Sequence, residues 1–190
     1  MQTSPIFFLL AQLGIRYVKF PTILLLTKNL KNIFNAWKFS KLKVKILVDA
    51  LDVHNGWAKG YDYVMWLDAD FIFADFDFRI ESLVETHPTA HIIASAGKHS
   101  IINSGSLIVR NSKWARQFLH KWWNTNRAMD SEQTRFDAIF LQEKAMSTTI
   151  NTIDSRIAIL PPSEMNSVAP VWIHHSPDSP VLHLHGEMGK

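Results

Sequence analysis

Apolar and aromatic residues in this chain gather into short runs set between turn-forming residues, and the spacing inside each run predicts its element. Tyr61-Asp62-Tyr63-Val64-Met65-Trp66-Leu67 has the aromatic and β-branched bias of a buried strand. It ends in Asp68-Ala69-Asp70, after which Phe71-Ile72-Phe73 continues extended. Upstream, Leu42, Ile46, Leu47, Leu51 and Val53 recur near helical spacing, so residues 23–53 read as helix, and Asn55-Gly56 with Lys59-Gly60 marks a turn. Downstream, Phe78 to Glu85 reads as a short helix stopped before His87-Pro88, followed by strands at 91–95 and 106–109. Asn111 or Ser112 caps the next helix, whose Trp114, Phe118, Leu119 and Trp122 form an apolar stripe. Ser131 caps another helix running to about Ala145, and Ile157–Leu160 and Val181–Leu184 complete the strands. Strands alternating with helices predict an α/β layered fold.

Composition adds three constraints. A chain of 190 residues suggests one domain, and 47% hydrophobic with 12% aromatic content suffices for a packed core. The net charge of +3 conceals an asymmetry, because residues 1–60 hold nine Lys/Arg against Asp49 and Asp52. A basic N-terminal third suits phosphate groups or an anionic membrane surface, and a poorly packed segment accounts for it equally well. The absence of cysteine removes disulfides and thiolate metal sites. Ile6–Ala11 is apolar but short, and Arg16, Lys19 and Pro21 interrupt the broader apolar stretch that runs to Leu26. That fits neither a spanning helix of about 20 residues nor a signal peptide.

The chemistry concentrates at Asp68-Ala69-Asp70. Side chains alternate along a strand, so residues i and i+2 face one side, and Asp68 and Asp70 converge. Two carboxylates held close in an apolar pocket cannot both ionise cheaply. A divalent cation resolves the conflict, and hard oxygen ligands suit Mg²⁺ or Mn²⁺. The alternative is that both aspartates cap backbone amides at a strand-to-loop corner.

Residues 61–70 resemble the Asp-x-Asp signature of nucleotide-diphospho-sugar transferases of the GT-A type. The group they most resemble is the α-galactosyl-, mannosyl- and xylosyltransferase family (glycosyltransferase family 34-like). Three further blocks agree in order: Asn103-Ser104-Gly105-Ser106-Leu107-Ile108-Val109-Arg110-Asn111-Ser112; Ser131-Glu132-Gln133 with Phe136-Asp137; and Leu160-Pro161-Pro162 through Met165-Asn166-Ser167, then Val181–Glu187. The resemblance covers roughly residues 41–187. It implies a GT-A-like (Rossmann-like) α/β fold, a mixed sheet flanked by helices, with part of the N-terminal nucleotide-binding half missing. Residues 1–40 are then a poorly matched N-terminal segment, with Ile23-Leu24-Leu25-Leu26 a candidate base-binding strand, and 41–190 the catalytic domain.

The resemblance also implies roles. Asp68, Asp70 and His183 hold a Mn²⁺ (or Mg²⁺), with His185 a rival on the same face. Asp68, Asp70, Asn103, Ser104 and Gly105 bind the donor. Glu132 and Gln133 lie near the reacting sugar, Glu132 being one methylene longer than the family's Asp; their alternative is to cap their helix. Trp114, Trp122 and Trp123 read as core filler rather than a sugar-stacking platform. The expected activity is metal-dependent transfer of a sugar from a nucleotide-diphosphate donor to a glycan or glycoprotein. The alternative is a catalytically inactive, truncated glycosyltransferase-like binding domain. Expected partners are a nucleotide sugar and an acceptor glycan, not nucleic acid. The expected setting is the Golgi or another secretory membrane, reached through an N-terminal anchor that this chain lacks or keeps in degenerate form, or a soluble fragment.

Overall fold

The structure, a computed structural model, describes residues 6–8, 18–26, 36–68, 71–73, 78–125, 131–146, 155–165, 167–169 and 181–184. Within these, residues 6–8, 18–26, 36–41, 71–73, 146, 167–169 and 181–184 are described as backbone only.

The main sheet contains β1 (Ile6–Phe8), β2 (Val18–Leu26), β3 (Tyr63–Leu67), β5 (Ile92–Ala96), β6 (Ile102–Arg110) and β7 (Ile157–Leu160), in the order β1-β2-β3-β6-β5-β7. It is mixed: β2 and β3 run parallel, as do β5 and β7, while β6 is antiparallel to both of its neighbours. A second, smaller sheet joins β4 (Phe71–Phe73), β9 (Val181–Leu184) and β8 (Ser167–Ala169). The helices are α1 (Ala36–Ala50), α2 (Ile80–Thr86), α3 (Lys113–Asn124), α4 (Glu132–Met146) and the single turn α5 (Pro162–Met165).

β3 explains the layering. All five of its residues are buried, which a half-exposed strand would not show, and the two sets of alternate side chains enter different cores. Val64 and Trp66 join Leu47, Leu107, Phe118, Trp122 and Phe136 beneath α1, α3 and α4. Tyr63, Met65 and Leu67 join Ile80, Leu83, Ile108 and Met165 beneath α2 and α5. Helices therefore cover both faces of the main sheet.

Two expectations change. Residues 23–53 do not form one helix: Ile23–Leu26 pair with Tyr63–Trp66 in parallel register, and the helix starts at Ala36. A four-residue apolar run carries no period that separates helix from strand, so the pairing partner decided. Phe71–Phe73 is extended, as expected, but pairs with β9 instead of prolonging β3 in its own sheet. Asp68-Ala69-Asp70 is thus the whole link in sequence between β3 and β4. The expected caps are present: the Ala115 amide donates to Ser112 Oγ (3.1 Å) and the Thr134 amide to Ser131 Oγ (3.2 Å).

Candidate active site at the end of the central strand

Asp68 sits just past the end of β3, where its amide donates to the Gly105 carbonyl at 2.8 Å. Its carboxylate, partly open to solvent, meets two donor groups. Lys43 Nζ lies 2.9 Å from Oδ1 and 3.0 Å from Oδ2, and Trp66 Nε1 donates to Oδ1 at 2.6 Å. Trp66 and Asp68 are two residues apart, so the alternation that buries the indole also aims it at the carboxylate. The Lys43 ammonium also lies 5.9 Å from the centre of the Trp66 ring, within cation–π range.

Lys43 gathers the rest of the site. It lies 3.3 Å from Glu132 Oε1 and donates to the Ser104 carbonyl at 3.3 Å. Ser104 Oγ in turn donates to Glu132 Oε1 at 2.8 Å. Lys43, Ser104 and Glu132 are all buried, with Lys43 only 6% exposed. A lysine in that position needs anionic partners, because an unpaired buried ammonium is prohibitively costly. Two carboxylates and one ammonium meet here.

The chain reaches this arrangement through an irregularity in β6. Ala94 faces Leu107 but Ser95 faces Asn103. Between those pairs, Ser104, Gly105 and Ser106 have no counterpart on β5, a large bulge of the kind that re-aims side chains beside functional sites. Asn103 Oδ1 accepts the Gly105 amide at 2.8 Å and closes the local turn. The bulge turns Ser104 toward α1 and α4.

α4 supplies the last wall. Ser131 caps it, and Trp122 Nε1 on α3 donates to the Glu132 carbonyl at 2.8 Å. The Glu132 side chain is engaged with Ser104 and Lys43. Gln133 meets the loop between β5 and β6, with Oε1 placed 3.2 Å from Ser100 Oγ. Trp122 is 1% exposed and belongs to the core, and Trp114 and Trp123 pack against that core.

Of the residues singled out from sequence, Asp68, Ser104 and Glu132 are brought together around Lys43, with Asn103, Gly105 and Gln133 adjoining them. Asp70 and His185 lie outside the described residues. His183 is described through its backbone: it is the register partner of Phe71 on one side and of Val168 on the other. Directly opposed residues of an antiparallel pair have Cα atoms about 5 Å apart, so His183 lies across from the residue that comes after Asp70. Among the described residues no cluster of three or more metal-ligating side chains occurs. Lys43 is the site residue that sequence reasoning passed over. The signal was present, since it stands one turn before Leu47 on the buried stripe of α1, where a lysine is out of place.

No family model matches the chain. A stretch of 67 residues is 25% identical to proteins described as probable glycosyltransferase 7 from Oryza sativa subsp. indica and subsp. japonica. That alignment covers 32% of this chain and spans only 15% of the length of those relatives. The structure resembles that of a glycosyltransferase involved in the glycosylation of the major capsid of PBCV-1, with a TM-score of 0.55 and 17% identity, over 84% of this chain and 75% of that one. Mouse xyloside xylosyltransferase 1, in its apo form, gives a TM-score of 0.48 at 13% identity, over 83% and 67%. The fold is therefore GT-A-like, shared with the first of these glycosyltransferases. Among the described residues, no helix is long and apolar enough to cross a membrane.

Proposed function

We propose that this chain is the donor-binding part of a metal-dependent glycosyltransferase that moves a sugar from a nucleotide diphosphate to a glycan or glycoprotein. The observation that carries this reading is the meeting at Lys43. Asp68, Ser104 and Glu132 come from three separate blocks of the sequence, and each places an oxygen within 3.3 Å of one ammonium nitrogen. These segments lie far apart in the chain and converge on one point. In a GT-A-like fold the point lies at the carboxyl end of the central strand, where open α/β sheets bind ligands.

Asp68, Asp70 and His183 are the proposed holders of Mn²⁺ or Mg²⁺. Two carboxylates and an imidazole form a suitable donor set for such an ion, and the pairing of Phe71 with His183 supports their proximity. Asp68 would share its carboxylate between the ion and Lys43, since both of its oxygens already accept from the lysine. The ion, when bound, would neutralise the diphosphate leaving group. Asn103, Ser104 and Gly105 line the donor, with Glu132 and Gln133 beside the sugar.

Calorimetric titration with UDP and GDP, with and without Mn²⁺, tests the reading. Binding should require the metal and should weaken at least tenfold, about 1.4 kcal/mol, in Asp68→Asn and in Asp70→Asn. Metal-independent binding, or variants that bind like the wild type, would remove the basis of the proposal.

A further inference from the structure

The hydrogen-bond arithmetic around Ser100 fixes a feature of the site that residue identities alone leave open. A hydroxyl has one hydrogen to give and lone pairs to receive with. Ser100 Oγ donates to the Ile102 carbonyl at 2.6 Å. That short contact takes its only hydrogen. The Gln133 amide prong 3.2 Å away must then be the donor of the pair. The two prongs of a glutamine amide are nearly equal in size, and the bonding partners decide which stands where. Oxygen facing an oxygen whose hydrogen is directed elsewhere is repulsive; nitrogen in that place is a hydrogen bond.

The loop that presents Ser100 is built to hold it still. The Gly97 amide donates to the Ile101 carbonyl at 3.3 Å, and Asp137, one turn further along α4, accepts the Ile101 amide at 3.0 Å. A Cβ on Gly97 would stand 2.6 Å from the Ile102 carbonyl oxygen and 2.7 Å from that of Ser100, so the turn closes this tightly only around glycine. Gln133 and Asp137 thus grip the loop from one face of α4.

We propose that Ser100 is a positioning residue that receives the Gln133 Nε2 hydrogen and thereby leaves the Gln133 carbonyl oxygen as the free prong, an acceptor offered to a hydroxyl of the bound sugar. The sugar as ligand rests on the function proposed above; the polarity of Gln133 does not. Ser100→Ala removes the acceptor for Nε2 and lets the amide turn, whereas Ser100→Thr keeps the hydroxyl.

The test is a ¹H–¹⁵N spectrum of the whole chain labelled at glutamine side-chain amides, with the Gln133 pair assigned by its loss in Gln133→Ala. One Gln133 amide proton should carry a hydrogen-bonded shift in the wild type, lose it in Ser100→Ala and regain it in Ser100→Thr. Gln133 resonances identical in wild type and Ser100→Ala would overturn the proposal without touching the function. In donor turnover with Mn²⁺, Ser100→Ala should lower kcat about tenfold with KM nearly unchanged, and Ser100→Thr should recover most of the loss. An unaltered kcat in Ser100→Ala would also overturn the positioning role. A wild type that turns over no nucleotide sugar counts against the function, while the amide spectrum still decides the role of Ser100.

Discussion

Lys43 Nζ stands 2.9 Å and 3.0 Å from the two oxygens of Asp68, so a single ammonium group faces both oxygens of that carboxylate. The same nitrogen lies 3.3 Å from Glu132 Oε1. α1, the end of β3 and the start of α4 are therefore tied through one charge.

Removing Lys43 should be costly. Breaking a buried ion pair by deleting one partner leaves charge uncompensated and typically costs about 3–5 kcal/mol. The Asp68 side chain is 31% exposed and draws on water, so Lys43→Met should fall near the lower end, about 3 kcal/mol. Urea unfolding of Lys43→Met, Asp68→Asn and the double variant measures this, with the double variant losing clearly less than the sum. Strict additivity would show that the two side chains do not work as a pair.

Ser104 tests the bulge. Its hydroxyl is buried and donates to Glu132 Oε1 at 2.8 Å, and a hydrogen bond to a charged group contributes about 1.5–3 kcal/mol. Ser104→Ala should therefore destabilise by about 2 kcal/mol. The loss should shrink when Glu132 is already Gln, because the acceptor is then neutral. Equal losses in both backgrounds would mean that the hydroxyl bonds elsewhere.

Legibility in the sequence divides along a physical line. β3 was legible from its aromatic and β-branched run, α3 from its apolar stripe, and both α3 and α4 from caps that are local: Ser112 and Ser131 need only a neighbour three residues on. Ile23–Leu26 of β2 was read both as part of a helix and, by resemblance, as a candidate strand, since a short apolar run owes its state to a parallel partner some forty residues away. Asp68, Ser104 and Glu132 were found through their motif blocks. Lys43 was only counted among the basic residues of the N-terminal third, because its burial depends on Asp68 and Glu132 arriving from other parts of the chain. The switch of sheets after Leu67 was likewise unreadable, as β9 is more than a hundred residues downstream of β4.

The aromatic support under α4 gives a prediction of its own. Phe136 is fully buried, one turn past Glu132, and its ring meets Phe118 and Trp122 edge-on at centroid distances of 5.3 Å and 5.1 Å. Truncating a buried phenylalanine costs about 3–5 kcal/mol, and Phe136→Leu, which keeps most of the volume, should cost about 1.5 kcal/mol or less. Thermal and urea unfolding distinguish the two. Phe136→Ala should also loosen the Glu132 end of the helix, seen as faster amide exchange at Thr134 and Arg135. Unfolding losses without that local change would separate core packing from the site.

The loop clasp has a pH signature. Burial raises the Asp137 carboxyl above the usual aspartate range, only partly offset by the amides of Ile101 and Ile102 that it accepts. A carboxyl raised on folding holds its proton more tightly in the native state than in the unfolded chain. Its contribution is thus fully present below the unfolded value of about 3.9, and it is lost as pH rises through the folded value. Asp137→Asn keeps an oxygen for the Ile101 amide but has no charge to desolvate. Relative to wild type, Asp137→Asn should gain stability as pH rises from about 3 through the raised value and then level off. Chemical unfolding of both proteins over that range checks the sign. A wild type that gains on Asp137→Asn with rising pH would mean that the two amides outweigh burial at this carboxylate.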